Sequence, residues 1–152
     1  METMPPAPGA KKILVIDDNT VVLKSLSFLL GAKGYRVMTA ESGSEALAFL
    51  RKDKPDLILL DVDFAPDPGN VCSSMRDGFA ILDWARRMCD ADKIPVIIVS
   101  ALDPEKYKDQ AKAHGIPTSF QKPVDKDRLV EAIHGMLGGT SAPNPAPSTA
   151  PG

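Results

Sequence analysis

Four places in this sequence carry residues that could act together chemically. Asp61 ends the apolar run 57–60, with Asp63 two positions later; Asp17 and Asp18 end the run 13–16; Ser100 ends the run 96–99; Lys122, followed by Pro123, ends the stretch 118–121. Taken singly, each is ordinary: an acidic pair can cap a helix, a lysine can sit in solvent, a serine says little. Their recurrence at the ends of successive apolar runs is the specific signal. A short unbroken apolar run reads as a strand buried on both faces. In a parallel sheet such ends gather at one edge, the edge where open α/β sheets bind ligands. Three carboxylates within about 5 Å of one another repel by roughly 3 kcal/mol per pair at an effective dielectric of 20, so the cluster needs a cation. A few hard oxygen donors suit Mg²⁺, which keeps several waters and bridges to phosphate oxygens. Asp61 is then placed to attack a phosphoryl group as nucleophile. The Lys122 ammonium would take part of the phosphoryl charge, and the Ser100 hydroxyl would donate to another of its oxygens.

The elements needed to hold these residues follow from the rest of the pattern. Strands are expected at 13–16, 35–39, 57–60, 96–99 and 118–121. Between them come helices. Val22, Leu26, Leu29, Leu30 and Lys33 give an apolar stripe over 20–33, capped by Asn19 and closed by Gly34. Ser42 to Glu45 is a capping box opening a helix to about 52. A third helix, 78–89, starts after Asp77 with Phe79, Leu82 and Met88 inward. Asp103–Pro104 starts a fourth, to about 114, whose stripe is thin: Tyr107 and Ala111. Asp125 caps the fifth, with Leu129, Ile133, Met136 and Leu137 on its inner face. Five βα repeats imply a parallel sheet with helices on both faces and right-handed crossovers.

Composition narrows the function class. A folded part of 11–137 is expected, between a Pro-rich lead, 1–10, and a disordered Ala/Pro/Ser tail, 138–152. A formal net charge of −2 without a Lys/Arg stripe argues against a nucleic-acid partner. The lead lacks the apolar core of a signal peptide and no run is long enough to span a bilayer, so a cytoplasmic protein is expected. Cys72 and Cys89 are too few for a disulfide framework and read as reduced thiols. His114 and His134 lie far apart near helix ends and read as structural or solvent-facing rather than as ligands.

The segments 12–19, 57–61, 99–101 and 122–123 agree in order and spacing with one family: the chain resembles the receiver domain of two-component response regulators over about 11–137. The resemblance implies a flavodoxin-like (βα)5 sheet in the order 2-1-3-4-5. It implies Asp61 as phosphoacceptor, fed by a sensor histidine kinase or phosphotransfer protein, and Asp17 and Asp18 as Mg²⁺ carboxylates. A cis peptide bond before Pro123 would set Lys122 over the site. The protein would be a signalling receiver rather than an enzyme, catalysing only its own phosphorylation and dephosphorylation. It would act as a monomer or weak dimer through phosphorylation-dependent contacts with a downstream protein. No output domain follows residue 137, so the expectation is a chemotaxis-regulator-like single-domain receiver or a part of a longer product.

The chain departs from the family in three places. Where the family carries Met-Pro shortly after the phosphorylated aspartate, this sequence has Phe64, Ala65 and Pro66, and an inserted loop, 65–76, delays Gly78. Ser119 stands where the family usually has an aromatic conformational switch three residues before the lysine, with Phe120 next to it facing the core, so a muted or rerouted conformational response is expected. Asp63 adds an acid beside the metal site and is counted with the metal residues, through its side chain or its backbone carbonyl. Two other classes share part of the pattern. A degenerate receiver would use the same fold as a phosphorylation-independent interaction module. A phosphohydrolase of the haloacid-dehalogenase type would use Asp61 as nucleophile and Asp63 as acid/base, but that motif belongs on a first strand.

Overall fold

Leu57, Ile58, Leu59 and Leu60 are each at most 1% exposed. No side chain of this strand faces water, so it can lie only in the middle of a sheet covered on both faces. The computed structural model describes residues 10–62, 78–88 and 94–137. Asp63, the inserted loop 65–76, Cys72, Cys89, the lead to residue 9 and the tail 138–152 fall outside the described residues.

The described elements are β1 (Lys12–Ile16), α1 (Thr20–Ala32), β2 (Arg36–Ala40), α2 (Gly43–Lys52), β3 (Leu57–Leu60), α3 (Gly78–Met88), β4 (Val96–Ser100), a 3₁₀ turn (Pro104–Lys106), α4 (Lys108–Ala113), β5 (Ser119–Gln121) and α5 (Lys126–Leu137). The sheet runs β2-β1-β3-β4-β5 and all its pairings are parallel, the five-stranded doubly wound arrangement expected from the sequence. Strand alternation divides the core. Leu14 and Ile16 of β1, with Ile58, Leu60 and Ile98, pack toward α2, α3 and α4. Ile13 and Val15, with Leu57, Leu59, Ile97 and Val99, pack toward α1 and α5. Each fully buried side chain of this size contributes about 1.5–3 kcal/mol relative to exposure, and β3 contributes four of them.

The helix ends bear out the capping residues read from the sequence. Asn19 Oδ1 accepts from the amides of Val21 and Val22. Ser42 Oγ accepts from Glu45 N, while the Glu45 carboxylate reaches Glu41 N rather than the cap residue itself. Asp125 Oδ1 accepts from the amides of Asp127 and Arg128. α1 closes on Gly34 at φ +95° and α4 on Gly115 at φ +72°. In both, the glycine amide and the next amide bond back to carbonyls of the last turn: Gly34 to Gly31 and Tyr35 to Leu30; Gly115 to Lys112 and Ile116 to Ala111.

Three expectations need correction. The inward stripe of α1 is Leu23, Leu26 and Leu30, with Val22 and Leu29 only partly buried; the sheet sees a face rotated by about one residue. Val130 joins Leu129 and Ile133 as a buried residue of α5. The fourth helix is not continuous from Asp103. Asp103 accepts from Glu105 N and opens a 3₁₀ turn, and α4 proper begins after Tyr107. The break falls at Tyr107, whose backbone (φ −129°, ψ 9°) leaves helical geometry and whose ring is 3% exposed.

Candidate functional site

Asp17, Asp18, Asp61, Ser100 and Lys122 all lie at the carboxyl edge of the sheet. β1 delivers Asp17, whose amide donates to Ala40 O, and β3 delivers Asp61, whose amide donates to Ile16 O. These bonds extend the sheet ladders by one residue and fix both carboxylates at adjacent strand ends. Asp17 is 2% exposed and Asp61 5% exposed, whereas Asp18 faces solvent. One oxygen from each of Asp17, Asp18 and Asp61 can be chosen so that all lie within 4.8 Å of one another. Burying two carboxylates so close to a third requires compensating positive charge.

Lys122 supplies part of it. Its amide donates to Ser100 O, which continues the β4–β5 ladder and sets the start of its side chain; the bond to Pro123 is cis. Its ammonium donates to Asp17 Oδ2 at 2.6 Å and to Asp61 Oδ2 at 3.4 Å. Lys122 is therefore closer to Asp17 than to Asp61. Burial alone would lower the Lys122 pKa; the hydrogen bond to Asp17 and the charges of Asp61 and Asp17 outweigh it, and the net shift is upward. The other oxygen of Asp17, Oδ1, accepts from Asn19 N. The sequence marked Asn19 only as a helix cap. It also holds the carboxylate of Asp17 through its backbone, a role that no side-chain pattern reveals.

Ser100 is the last residue of β4 and is fully buried. Its Oγ accepts from Leu102 N at 3.2 Å, which ties the hydroxyl to the loop leaving β4. Gln121 Nε2 donates to Ala101 O and braces the same loop from β5. Further along that loop, the Tyr107 ring sits 6.4 Å from Phe79 of α3, measured between centroids. Its hydroxyl is enclosed, with the Ser119 side chain beside it. Burial raises the Tyr107 pKa above the ordinary phenol value; the nearby Ser119 side chain pulls it the other way, and the charges of Asp61 and Asp103 add to the rise. Sequence alone marked Tyr107 as one of two apolar contacts on a thin helix and gave no sign that its hydroxyl is buried.

Ser119 is exposed on β5, and Phe120 packs partly buried toward α1 and α5, as strand alternation requires. The histidines are structural. His114 closes α4, with Nε2 2.9 Å from Asp83 Oδ1 and Nδ1 2.8 Å from Gln110 O. His134 Nδ1 lies 2.8 Å from the Tyr35 hydroxyl.

The assembled edge offers three hard oxygen donors that could hold a metal ion, an ammonium and a buried hydroxyl, in a strand order that brings β1, β3, β4 and β5 together. No described helix is long and apolar enough to cross a membrane.

Known proteins with this arrangement are numerous. Residues 13–134 match the family model for the response regulator receiver domain. The protein PilH of Pseudomonas aeruginosa is 32% identical over 128 residues, covering 84% of this chain and 98% of its own length. The polar-differentiation response regulator DivK of Brucella anthropi is 28% identical, with 84% of this chain and 97% of its own covered. Among solved structures, a CheY-like response regulator receiver domain protein from Methanospirillum hungatei superposes with a TM-score of 0.72 at 26% identity, over 85% of this chain and 94% of its own. The chemotaxis response regulator CheY4 of Vibrio cholerae superposes at 0.70 with 29% identity, over 84% and 99%. With a family model matching residues 13–134, the chain belongs to the response regulator receiver domain family.

Proposed function

We propose that this protein accepts a phosphoryl group on Asp61 in a Mg²⁺-dependent reaction and signals through contacts that depend on that modification. The observation that carries the reading is the clustering of Asp17, Asp18 and Asp61, two of them buried, with the Lys122 ammonium bonded to Asp17 and Asp61. The donor is a phosphohistidine on a sensor kinase or phosphotransfer protein. An Asp61 carboxylate oxygen forms the new P–O bond, the P–N bond breaks, and the electron pair leaves with the imidazole, which takes a proton. Asp17, Asp18 and Asp61 would hold Mg²⁺, and Asp63 is a further acid beside it in sequence. Bound there, the ion neutralises charge on the phosphoryl oxygens. Lys122 moves its ammonium from the carboxylates to a phosphoryl oxygen, and Ser100 Oγ donates to another. Asn19 keeps Asp17 oriented throughout. The folded receiver spans 11–137, and the effector is a protein rather than a nucleic acid.

The test is labelling with a small phosphodonor such as acetyl phosphate. The expected result is incorporation in Mg²⁺, none in excess EDTA, and none in Asp61→Asn. A protein that never incorporates phosphoryl, yet holds a partner equally well with and without donor, would be the phosphorylation-independent module instead.

A further inference from the structure

The helix α4 has six residues and one buried side chain, Ala111, so few apolar contacts hold it to the rest of the domain. Its carboxyl end carries a second attachment. His114 closes the helix, and its side chain is only 17% exposed. Its ring lies 5.0 Å from that of Phe79, measured between centroids. Nε2 is 2.9 Å from Asp83 Oδ1 on α3, and Nδ1 is 2.8 Å from Gln110 O in the preceding turn. A second charged side chain of α3, Arg86, donates from Nη1 to His114 O at 2.8 Å. Thus α3 meets this one residue twice, with a carboxylate on the ring and a guanidinium on the carbonyl.

Both oxygens that meet the ring can only accept. A carboxylate and a peptide carbonyl have no proton to give, and a neutral imidazole has one N–H and one bare nitrogen. Neutral His114 therefore makes one of the two bonds, and its bare nitrogen sets a lone pair against the other oxygen. The imidazolium donates to both at once and places its charge against the Asp83 carboxylate, where the hydrogen bond is charge-assisted. The number of contacts that hold the end of α4 thus depends on one proton.

We infer that His114 is a proton-operated latch between α3 and α4: charged, it ties the carboxyl end of α4 to Asp83 and to its own last turn together; neutral, it lets one of them go. Proton uptake tightens α4 and proton loss loosens it. Ala111, Lys112 and Gly115, on either side of the latch, line a groove of about 430 Å³ with Ile116 and Ser119. The latch therefore sets how firmly one wall of that groove is held. It sits at the end of α4 away from the loop that leaves Ser100, and it works whether or not Asp61 accepts a phosphoryl group.

The test is amide hydrogen exchange on the full chain between pH 5.5 and 8, the interval in which histidine ordinarily changes charge and carboxylates, lysines and arginines do not. Rates are divided by the intrinsic rate at each pH and compared with those of α1. The amides of His114, Gly115 and Ile116 bond back to carbonyls of Gln110, Lys112 and Ala111. Their protection should fall about three- to tenfold relative to α1 as pH rises from 5.5 to 8, the scale of one charge-assisted bond to a half-exposed carboxylate. His114→Gln has no proton to lose, and its protection should be the same at both ends. In Asp83→Asn the side chain accepts from an N–H through its oxygen or donates to a bare ring nitrogen through its amide, so the contact survives in both ring states and the pH dependence should also vanish. A tyrosine-like, merely structural ring would leave all three proteins with flat profiles. Equal or rising protection in the parent from pH 5.5 to 8, or a fall that persists in His114→Gln or in Asp83→Asn, overturns the inference.

Discussion

Replacing Asp61 by Asn should stabilise the metal-free protein. Asp61 brings a buried negative charge to within 4.8 Å of oxygens on both Asp17 and Asp18. At an effective dielectric of about 20, each such pair repels by at least about 3.5 kcal/mol. The Lys122 ammonium, 3.4 Å from Asp61 Oδ2, attracts by about 5 kcal/mol on the same scale. Removing the Asp61 charge therefore removes about 7 kcal/mol of repulsion and about 5 of attraction. Asp18 is exposed, so its share is screened, and the net gain falls to about 1 kcal/mol. Asn is isosteric and its Oδ1 can still accept from Lys122. In a domain of this size the gain corresponds to a rise of about 3–6 °C in Tm in EDTA. Mg²⁺ reverses the ranking, because the parent presents three carboxylates to the ion and the variant two, and ligand stabilisation grows with [L]/Kd. The assay is thermal unfolding of both proteins in EDTA and across a Mg²⁺ titration. A lower Tm for Asp61→Asn in EDTA, or equal Mg²⁺ stabilisation of the two proteins, would refute the electrostatic account of the site.

Lys122→Met removes the ammonium paired with Asp17 and Asp61, so it should lower Tm in EDTA and enlarge the Mg²⁺-induced rise; a smaller rise than the parent's would count against it. The upward-shifted pKa of Lys122 means that its folded state holds the proton more tightly than the unfolded chain does. That stability is fully present below the ordinary lysine value and is lost as pH rises through the folded value. Tyr35 and Tyr107, whose pKa values are also raised, add to the loss at alkaline pH, so urea midpoints should fall above about pH 10 and less steeply in Lys122→Met. Leu59→Ala, at the centre of the sheet, should cost about 2–5 kcal/mol by urea unfolding, whereas Phe28→Ala, at a position 62% exposed, should stay within about 0.5 kcal/mol.

The sheet was readable because its three central strands are apolar and buried. Their apolar runs end where the buried polar residues begin, so Asp17, Asp61 and Ser100 declare both the strand and its functional edge. Caps were readable for the same local reason: Asn19, Ser42, Asp103 and Asp125 each bond the amides that their spacing implies. What sequence could not give lies in rotation and in long-range contact. The face of α1 turned on whether Leu23 or Val22 meets the sheet, and an apolar stripe broad enough to include both does not decide it. The break in the fourth helix falls at Tyr107, whose ring meets Phe79, a contact between distant elements. The preference of Lys122 for Asp17 over Asp61 depends on ångström-scale placement that residue types do not encode. The absent aromatic at Ser119 was visible in the sequence. Only the structure shows Tyr107 buried beside it.

The central claim is that Asp61 carries the phosphoryl group. The most direct measurement is peptide mapping by mass spectrometry of protein phosphorylated with acetyl phosphate and Mg²⁺. One phosphoryl group, removed by hydroxylamine as an acyl phosphate is, should map to the peptide containing Asp61 and to that residue. A modification that maps to Asp17, to Asp18 or to a serine, or one that persists in Asp61→Asn, would contradict it.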